Sequence, residues 1–273
     1  HTQGTVKPWL EIDVLSQVRG EVKEVGSSFA EGGFFSKGDS LVRVDELNYQ
    51  TALLRARAKL ADAEQALALE KGRALQAKRE WRNLGNEDAN ALFLRKPQLQ
   101  SAEAQVAAAK GDVASAKLDL EYTNINLPFA GRVESTHVNL GQFVSNGMKV
   151  ASVFSTEKVE VRLPLSDNQV SLLDLPINHG NKSLVDGVPV LLNGVFSGQT
   201  WQWEGVIKRT SAVIDDRSRF FYAVAEVYEP FKQVDAKPPL NIGQFVRAEI
   251  RGRIVDNAMI LPRRALRAGN SIW

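Results

Sequence analysis

Residues able to do covalent or metal chemistry are sparse in this chain. Of its 273 residues none is cysteine, which excludes disulfides, thiolate catalysis and Cys-based metal sites. The three histidines, His1, His137 and His179, are too few and too scattered for a metal site or a proton relay. Met148 and Met259 are the only methionines, so there is no methionine cluster for a soft metal. The densest run of reactive types, Asp215-Asp216-Arg217-Ser218-Arg219, reads as a charged turn between two strands. No phosphate-cradling G-x-x-x-x-G-K-[ST] loop occurs. What remains is contact chemistry. Leu92-Phe93-Leu94 places three adjacent apolar residues in an otherwise polar stretch, 84–95, and an exposed cluster of that kind marks a contact surface. The plainer reading is a small cap that packs over the end of the element carrying it.

That element is a long helical hairpin. Leu53, Ala56, Leu60, Ala63, Leu67, Glu70, Ala74, Ala77, Trp81 and Leu84 alternate spacings of 3 and 4, with Glu70 the one polar member. Leu99, Ala102, Val106, Ala109, Val113, Ala116 and Leu120 form a second such series. A 3.5-residue repeat keeps a narrow apolar seam facing a partner helix. Leu53, Leu60, Leu67, Trp81, Leu99, Val106, Val113 and Leu120 are its large members, and the alanines between them let the backbones approach. Asp45 is placed to cap the first helix, Gly85 to end it, and Pro97 fits the first turn of the second. Asn124, Asn126 and Pro128 stop the second helix. At 1.5 Å per residue the first helix is expected to run about 55 Å. Its tip then stands far from any small domain, leaving Arg82, Leu84, Gly85, Asn86, Asp88, Asn90, Leu92, Phe93 and Leu94 to meet a partner. Leu92-Phe93-Leu94 reads as lying outside either heptad register.

The hairpin interrupts a repeated β module. The first copy holds Val18-Arg19-Gly20-Glu21-Val22 and Gly33-Phe34-Phe35-Ser36-Lys37-Gly38; the second holds Phe129-Ala130-Gly131-Arg132-Val133 and Gly141-Gln142-Phe143-Val144-Ser145-Asn146-Gly147. Two such halves pair into a compact pseudo-symmetric sandwich. The module resembles the lipoyl/biotinyl carrier fold, in which each half supplies one sheet's worth of strands. Carriers of that kind present a modified lysine between the halves. Here the position reads Val44-Asp45-Glu46-Leu47 without lysine, and the helices begin there, so a lipoyl or biotinyl carrier subunit is the remote alternative.

Beyond residue 156 the chain is strand-rich. Val159-Glu160-Val161-Arg162-Leu163-Pro164-Leu165 alternates at period 2, and Ser166-Asp167-Asn168 is set to cap a short helix through Leu173. Further strands fall at 188–192, 201–207, 221–227 and 245–250, which suggests a small antiparallel barrel. Trp201 and Trp203 share a face and read as core. Net charge is +2, and residues 46–121 carry 12 Lys/Arg against 11 Asp/Glu, so no basic face for nucleic acid is expected. No stretch approaches 18 apolar residues. The start at His1-Thr2-Gln3-Gly4 and the end at Ser271-Ile272-Trp273 lead us to expect a signal or membrane anchor beyond the N-terminus.

Several segments together resemble the periplasmic adaptors, or membrane fusion proteins, of tripartite efflux pumps. The strongest is Ala116-Lys117-Leu118-Asp119-Leu120-Glu121-Tyr122-Thr123-Asn124-Ile125-Asn126-Leu127-Pro128-Phe129-Ala130-Gly131-Arg132-Val133. Gly141-Gln142-Phe143-Val144, Ile214-Asp215-Asp216-Arg217-Ser218-Arg219, Ile242-Gly243-Gln244-Phe245-Val246 and Ala258-Met259-Ile260-Leu261-Pro262 follow in the family's order. The resemblance implies a mainly β fold with a coiled coil: a split lipoyl-like sandwich (11–45 and 124–156) carrying an antiparallel hairpin (46–123), a β-barrel (157–254), and a partial membrane-proximal domain (255–273), with 1–10 supplying the first strand or strands of the membrane-proximal and barrel region. It implies a non-enzymatic periplasmic protein tethered to the inner membrane of a Gram-negative bacterium and assembled as a homo-oligomer. The implied partners are an inner-membrane transporter of the resistance-nodulation-division class and a TolC-type outer-membrane channel. No cofactor, metal or nucleic acid enters. An adaptor of a type I secretion or ABC-type exporter shares the architecture. Many members carry an Arg–Leu–Ser set at the tip; here Arg79, Arg82 and Leu84 lie near the right place, but no serine occurs between Ser40 and Ser101.

Overall fold

The computed structural model describes residues 1–83, 92–173, 175, 187–211, 220–232, 237–253, 266–267 and 271–272. His179, the 215–219 run, Met259 and most of the segment from 254 on lie outside them. The chain divides into two compact units, Leu10–Ser155 and a second made of His1–Trp9 with Thr156–Trp273. The opening strand β1 (Thr2–Pro8) belongs to the second unit.

The first unit runs β2 (Glu11–Leu15), β3 (Gly20–Val25), β4 (Phe34–Phe35), β5 (Ser40–Val44), α1 (Leu47–Asn83), α2 (Lys96–Glu121), β6 (Asn124–Asn126), β7 (Gly131–Thr136), β8 (Phe143–Val144) and β9 (Lys149–Ser155). Its strands form two four-stranded sheets, ordered β2-β9-β7-β4 and β6-β5-β3-β8. Each sheet takes two strands from each copy of the module. Each half brings four strands, one sheet's worth, but divides them between the two sheets, so the halves interlock. Gly20 pairs with Val144 across β3 and β8, and Gly131 pairs with Phe35 across β7 and β4. The turns obey the same symmetry, with Gly147 N–H donating to Ser16 O and Gly38 N–H to Leu127 O, at 2.8 and 2.9 Å. Gly38 and Gly147 sit at φ 85° and 81°, a region that residues bearing a Cβ avoid. Interlocking lets Val22, Leu41, Val42 and Val44 of one copy share a single core with Val133, Val144, Val150 and Val153 of the other.

Asp45 Oδ1 accepts from Leu47 N–H at 3.0 Å, capping α1. At the base Val44 N–H donates to Thr123 O at 2.8 Å, which brings the two ends of the hairpin together. Pro97 lies in the first turn of α2, where its missing N–H deprives the helix of nothing.

The second unit continues with β10 (Lys158–Leu165), α3 (Asp167–Val170), β11 (Val188–Phe196), β12 (Gln199–Thr210), β13 (Phe221–Tyr228), β14 (Phe245–Ile250), β15 (Leu266–Arg267) and β16 (Ser271–Ile272). Six strands close a barrel in the order β1-β10-β13-β12-β11-β14. Closure depends on β1, which pairs with β10 at Val6↔Val161 and with β14 at Thr2↔Ala248. Alternation sends Val159, Val161, Leu163 and Leu165 inward with Leu192, Ile207, Ala223, Ala225, Val246 and Ala248. Trp203 is in that core, its Nε1 donating to Pro238 O at 3.2 Å, and Trp201 packs against it half-buried. The short helix is a single turn, ending at Val170 rather than Leu173.

Candidate docking site on the helical hairpin

Helix α1 has 37 residues and α2 has 26, and they lie side by side. The base contact between residues 44 and 123 and a contact between Glu70 and Arg95 farther along fix an antiparallel pair. Between Leu53 and Trp81 the only residues of α1 that are not exposed are Leu53, Ala56, Leu60, Ala63, Leu67, Glu70, Ala74, Ala77 and Trp81. On α2 the shielded positions are Leu99, Ala102, Val106, Ala109, Val113, Ala116 and Leu120, with Gln98 beside them. Apart from Gln98 the residues off the seam face outward, so among the described residues the two helices bury surface along this length against each other. Counting from Glu70 and Arg95 sets Ala63 level with Ala102 and Ala56 level with Ala109. Facing alanines permit the close approach that long side chains would prevent.

Glu70 is 8% exposed, and its carboxylate accepts from Arg95 Nε at 2.5 Å and Nη2 at 3.1 Å. Arg73 stands 3.6 Å away on the next turn. The hydrogen bond from Arg95 holds the Glu70 carboxyl below the usual glutamate range, against the opposing effect of desolvation. Arg95 has φ 55° and ψ 26°, a left-handed bend immediately before α2. Past it, the Phe93 ring packs on Trp81 with centroids 4.9 Å apart and planes at 57°. Phe93 remains 42% exposed and Leu92 62%; Leu94 is half-buried and Arg82 is exposed. Leu84, Gly85, Asn86, Asp88 and Asn90 lie outside the described residues.

Of the residues singled out for the tip, the described ones thus divide. Leu92 and Phe93 stay open on one side, whereas Phe93 and Trp81 join into an aromatic pair. By count Arg95 and Leu92 continue the α2 seam, four and then three residues before Leu99. Leu92 nonetheless lies outside the packed seam, in the turn before α2, and is exposed because the chain leaves the helix at Arg95. Sequence reasoning missed the Glu70–Arg95 pair. Its signal was present: Glu70 is the lone polar member of its series, and Arg95 falls on the same seam of the facing helix.

Among the described residues no group of three His, Asp or Glu side chains could hold a metal ion, and no helix is long and apolar enough to cross a membrane. On the barrel, buried Glu226 receives Tyr228 Oη at 2.7 Å and pairs with Lys158 Nζ at 3.0 Å. Glu160, directly opposite on β10, pairs with Arg209.

Comparison with known proteins bears on this architecture. Residues 11–156 match the family model described as "RND MFP, barrel-sandwich hybrid domain". The "Multidrug resistance protein MdtA" of Photorhabdus laumondii is 24% identical over 280 residues, covering 99% of this chain and 65% of the relative. The "Multidrug export protein AcrE" of Escherichia coli is 26% identical, covering 92% and 65%. The "Efflux pump periplasmic linker BepF" of Brucella suis is 29% identical, covering 98% and 62%. The chain thus spans just under two thirds of the length of these relatives. Among solved structures, a MacA–MexA chimera carrying the Pseudomonas aeruginosa MexA α-hairpin matches with TM-score 0.60 at 22% identity, covering 92% of this chain and 80% of its own. The membrane fusion protein Spr0693 of Streptococcus pneumoniae matches with TM-score 0.62 at 18% identity, covering 92% and 98%. At these identities the structural matches speak to the fold alone.

Proposed function

This chain belongs to the RND MFP barrel-sandwich hybrid family, and on that premise we propose that it is the periplasmic adaptor of a tripartite efflux pump. In this reading it links an inner-membrane transporter of the resistance-nodulation-division class to an outer-membrane channel, and it exports small toxic compounds without chemistry of its own. The observation that carries the reading is the hairpin's isolation: from Leu53 to Trp81 only the seam is shielded. A pair of helices whose outer faces are exposed over this length has that surface available to other molecules. The tip residues, Arg82 and residues 84–94, are the ones we assign to the channel, with Leu92 and Phe93 as its apolar contacts. The relatives' names, which speak of multidrug resistance and export, support a drug-like cargo. Tethering to the inner membrane, and a ring of identical copies around the channel, complete the proposal.

Photo-cross-linking in cells tests it. A cross-linker at Asn86 of the full-length protein should trap an outer-membrane channel. Labelling confined to inner-membrane or cytosolic proteins would refute the docking role. Copurification of the full-length protein identifies the class of transporter.

A further inference from the structure

Three features hold the bend at Arg95. A left-handed residue with a Cβ is disfavoured by about 1–2 kcal/mol and persists only where its surroundings over-determine it. The first feature is the fork from Arg95 to both oxygens of Glu70. The second is Pro97, whose ring would collide with the carbonyl of residue 93 if α2 ran on unbroken. The third is the Phe93 ring seated on Trp81. An unbroken helix would carry Leu92 into the seam against α1; the bend turns it out to solvent instead.

We propose that Glu70 is a positioning residue for the docking tip: by gripping Arg95 it fixes where the chain departs from α2 and so presents Leu92 and Phe93 beside Trp81. This rests on the reading of the tip as the docking end. The physical basis is the character of charged groups in an apolar seam. A buried ion pair adds little net stability, because desolvation offsets most of the attraction, but it selects one geometry among several. A polar residue at a seam position acts in the same way, specifying register at a cost in stability. Position 70 falls one heptad from Ala63 and Ala77, so alanine there matches the small seam residues, while leucine is apolar and fills volume that the glutamate side chain occupies. It would keep the helices paired and release Arg95.

The test uses the full-length protein with E70L, E70A, and the exchanged pair E70R/R95E. Hydrogen–deuterium exchange of α1 and of the first turns of α2 reads hairpin integrity. Cross-linking yield from position 86 reads docking. In E70L we expect amide protection equal to or above wild type with yield to the channel down about tenfold, equivalent to about 1.4 kcal/mol. The exchanged pair should recover most of that yield. Wild-type yield in E70L overturns the inference. So does loss of yield that follows loss of protection across all variants, since a purely structural role predicts that. If the wild-type protein traps no channel, the docking role itself fails. Glu70 is then judged on purified protein by the fluorine resonance of 5-fluorotryptophan at position 81: a shift in E70L supports positioning, and an unmoved resonance overturns it.

Discussion

Trp81 and Phe93 face each other across the end of the hairpin, ring centroids 4.9 Å apart and planes tilted 57°, twelve residues apart in a chain that reverses between them. Tilted aromatic pairs contribute about 0.5–1.5 kcal/mol beyond their buried area. Phe93→Ala should therefore lower the melting temperature by no more than a few degrees, while cross-linking from position 86 to the channel falls severalfold. A calorimetric scan beside the cross-linking yield checks both; a large stability loss would assign Phe93 to the hairpin core instead.

Acid should loosen the tip through Glu70. Its carboxyl is held below the ordinary range, chiefly by the hydrogen bond from Arg95. The pair's contribution is thus fully present above the unfolded glutamate value of about 4.3 and is lost as pH falls through the depressed folded value. Trp81 fluorescence should be flat from neutral pH to about 5 and change below about 4. E70Q should remove that step and leave the rest of the acid profile intact.

On the barrel, Lys158 is the only cation among the described residues within 4 Å of the Glu226 carboxylate. Glu226 is 5% exposed. Burial pushes its pKa up, but bonds from Tyr228 and Lys158 more than offset this and hold it low. Glu160 lies directly across the ladder, a like-charge opposition that is destabilising unless each member is paired. Lys158→Met should destabilise the barrel by about 2 kcal/mol at neutral pH, because a buried carboxylate loses its cation. The same chain carrying Glu226→Gln as well should recover part of that loss in urea titration.

The interlocked sandwich makes its own demand at Gly131. A Cβ there would lie 2.5 Å from both Phe154 O and the Phe35 ring, where β7 lies between β9 of its own copy and β4 of the other. Gly131→Ala should cost about 2–3 kcal/mol by overpacking. At Gly38 a Cβ meets nothing within 4 Å, so Gly38→Ala should cost only about 1 kcal/mol, from its left-handed backbone. Comparable losses at the two sites would contradict the crowding argument.

Much of the molecule was legible before any coordinates. The seam positions of both helices, the cap at Asp45, the placement of Pro97 and the inward run Val159, Val161, Leu163, Leu165 all follow from spacing. Helical and strand periods, caps and proline effects act over a few residues, so the local sequence contains them whole. The repeated module was equally plain, because repetition needs no partner to be seen.

What the tertiary structure alone decided is who pairs with whom. That each sheet draws on both copies, that β1 closes the barrel against Ala248 some 240 residues away, and that Glu70 meets Arg95 are choices among partners of similar local character. They are settled by which arrangement buries a common core without leaving backbone groups or charges unpaired. Glu70 shows the division best. Its place in the seam is a matter of counting, but its role depends on a guanidinium that only the folded hairpin brings to it.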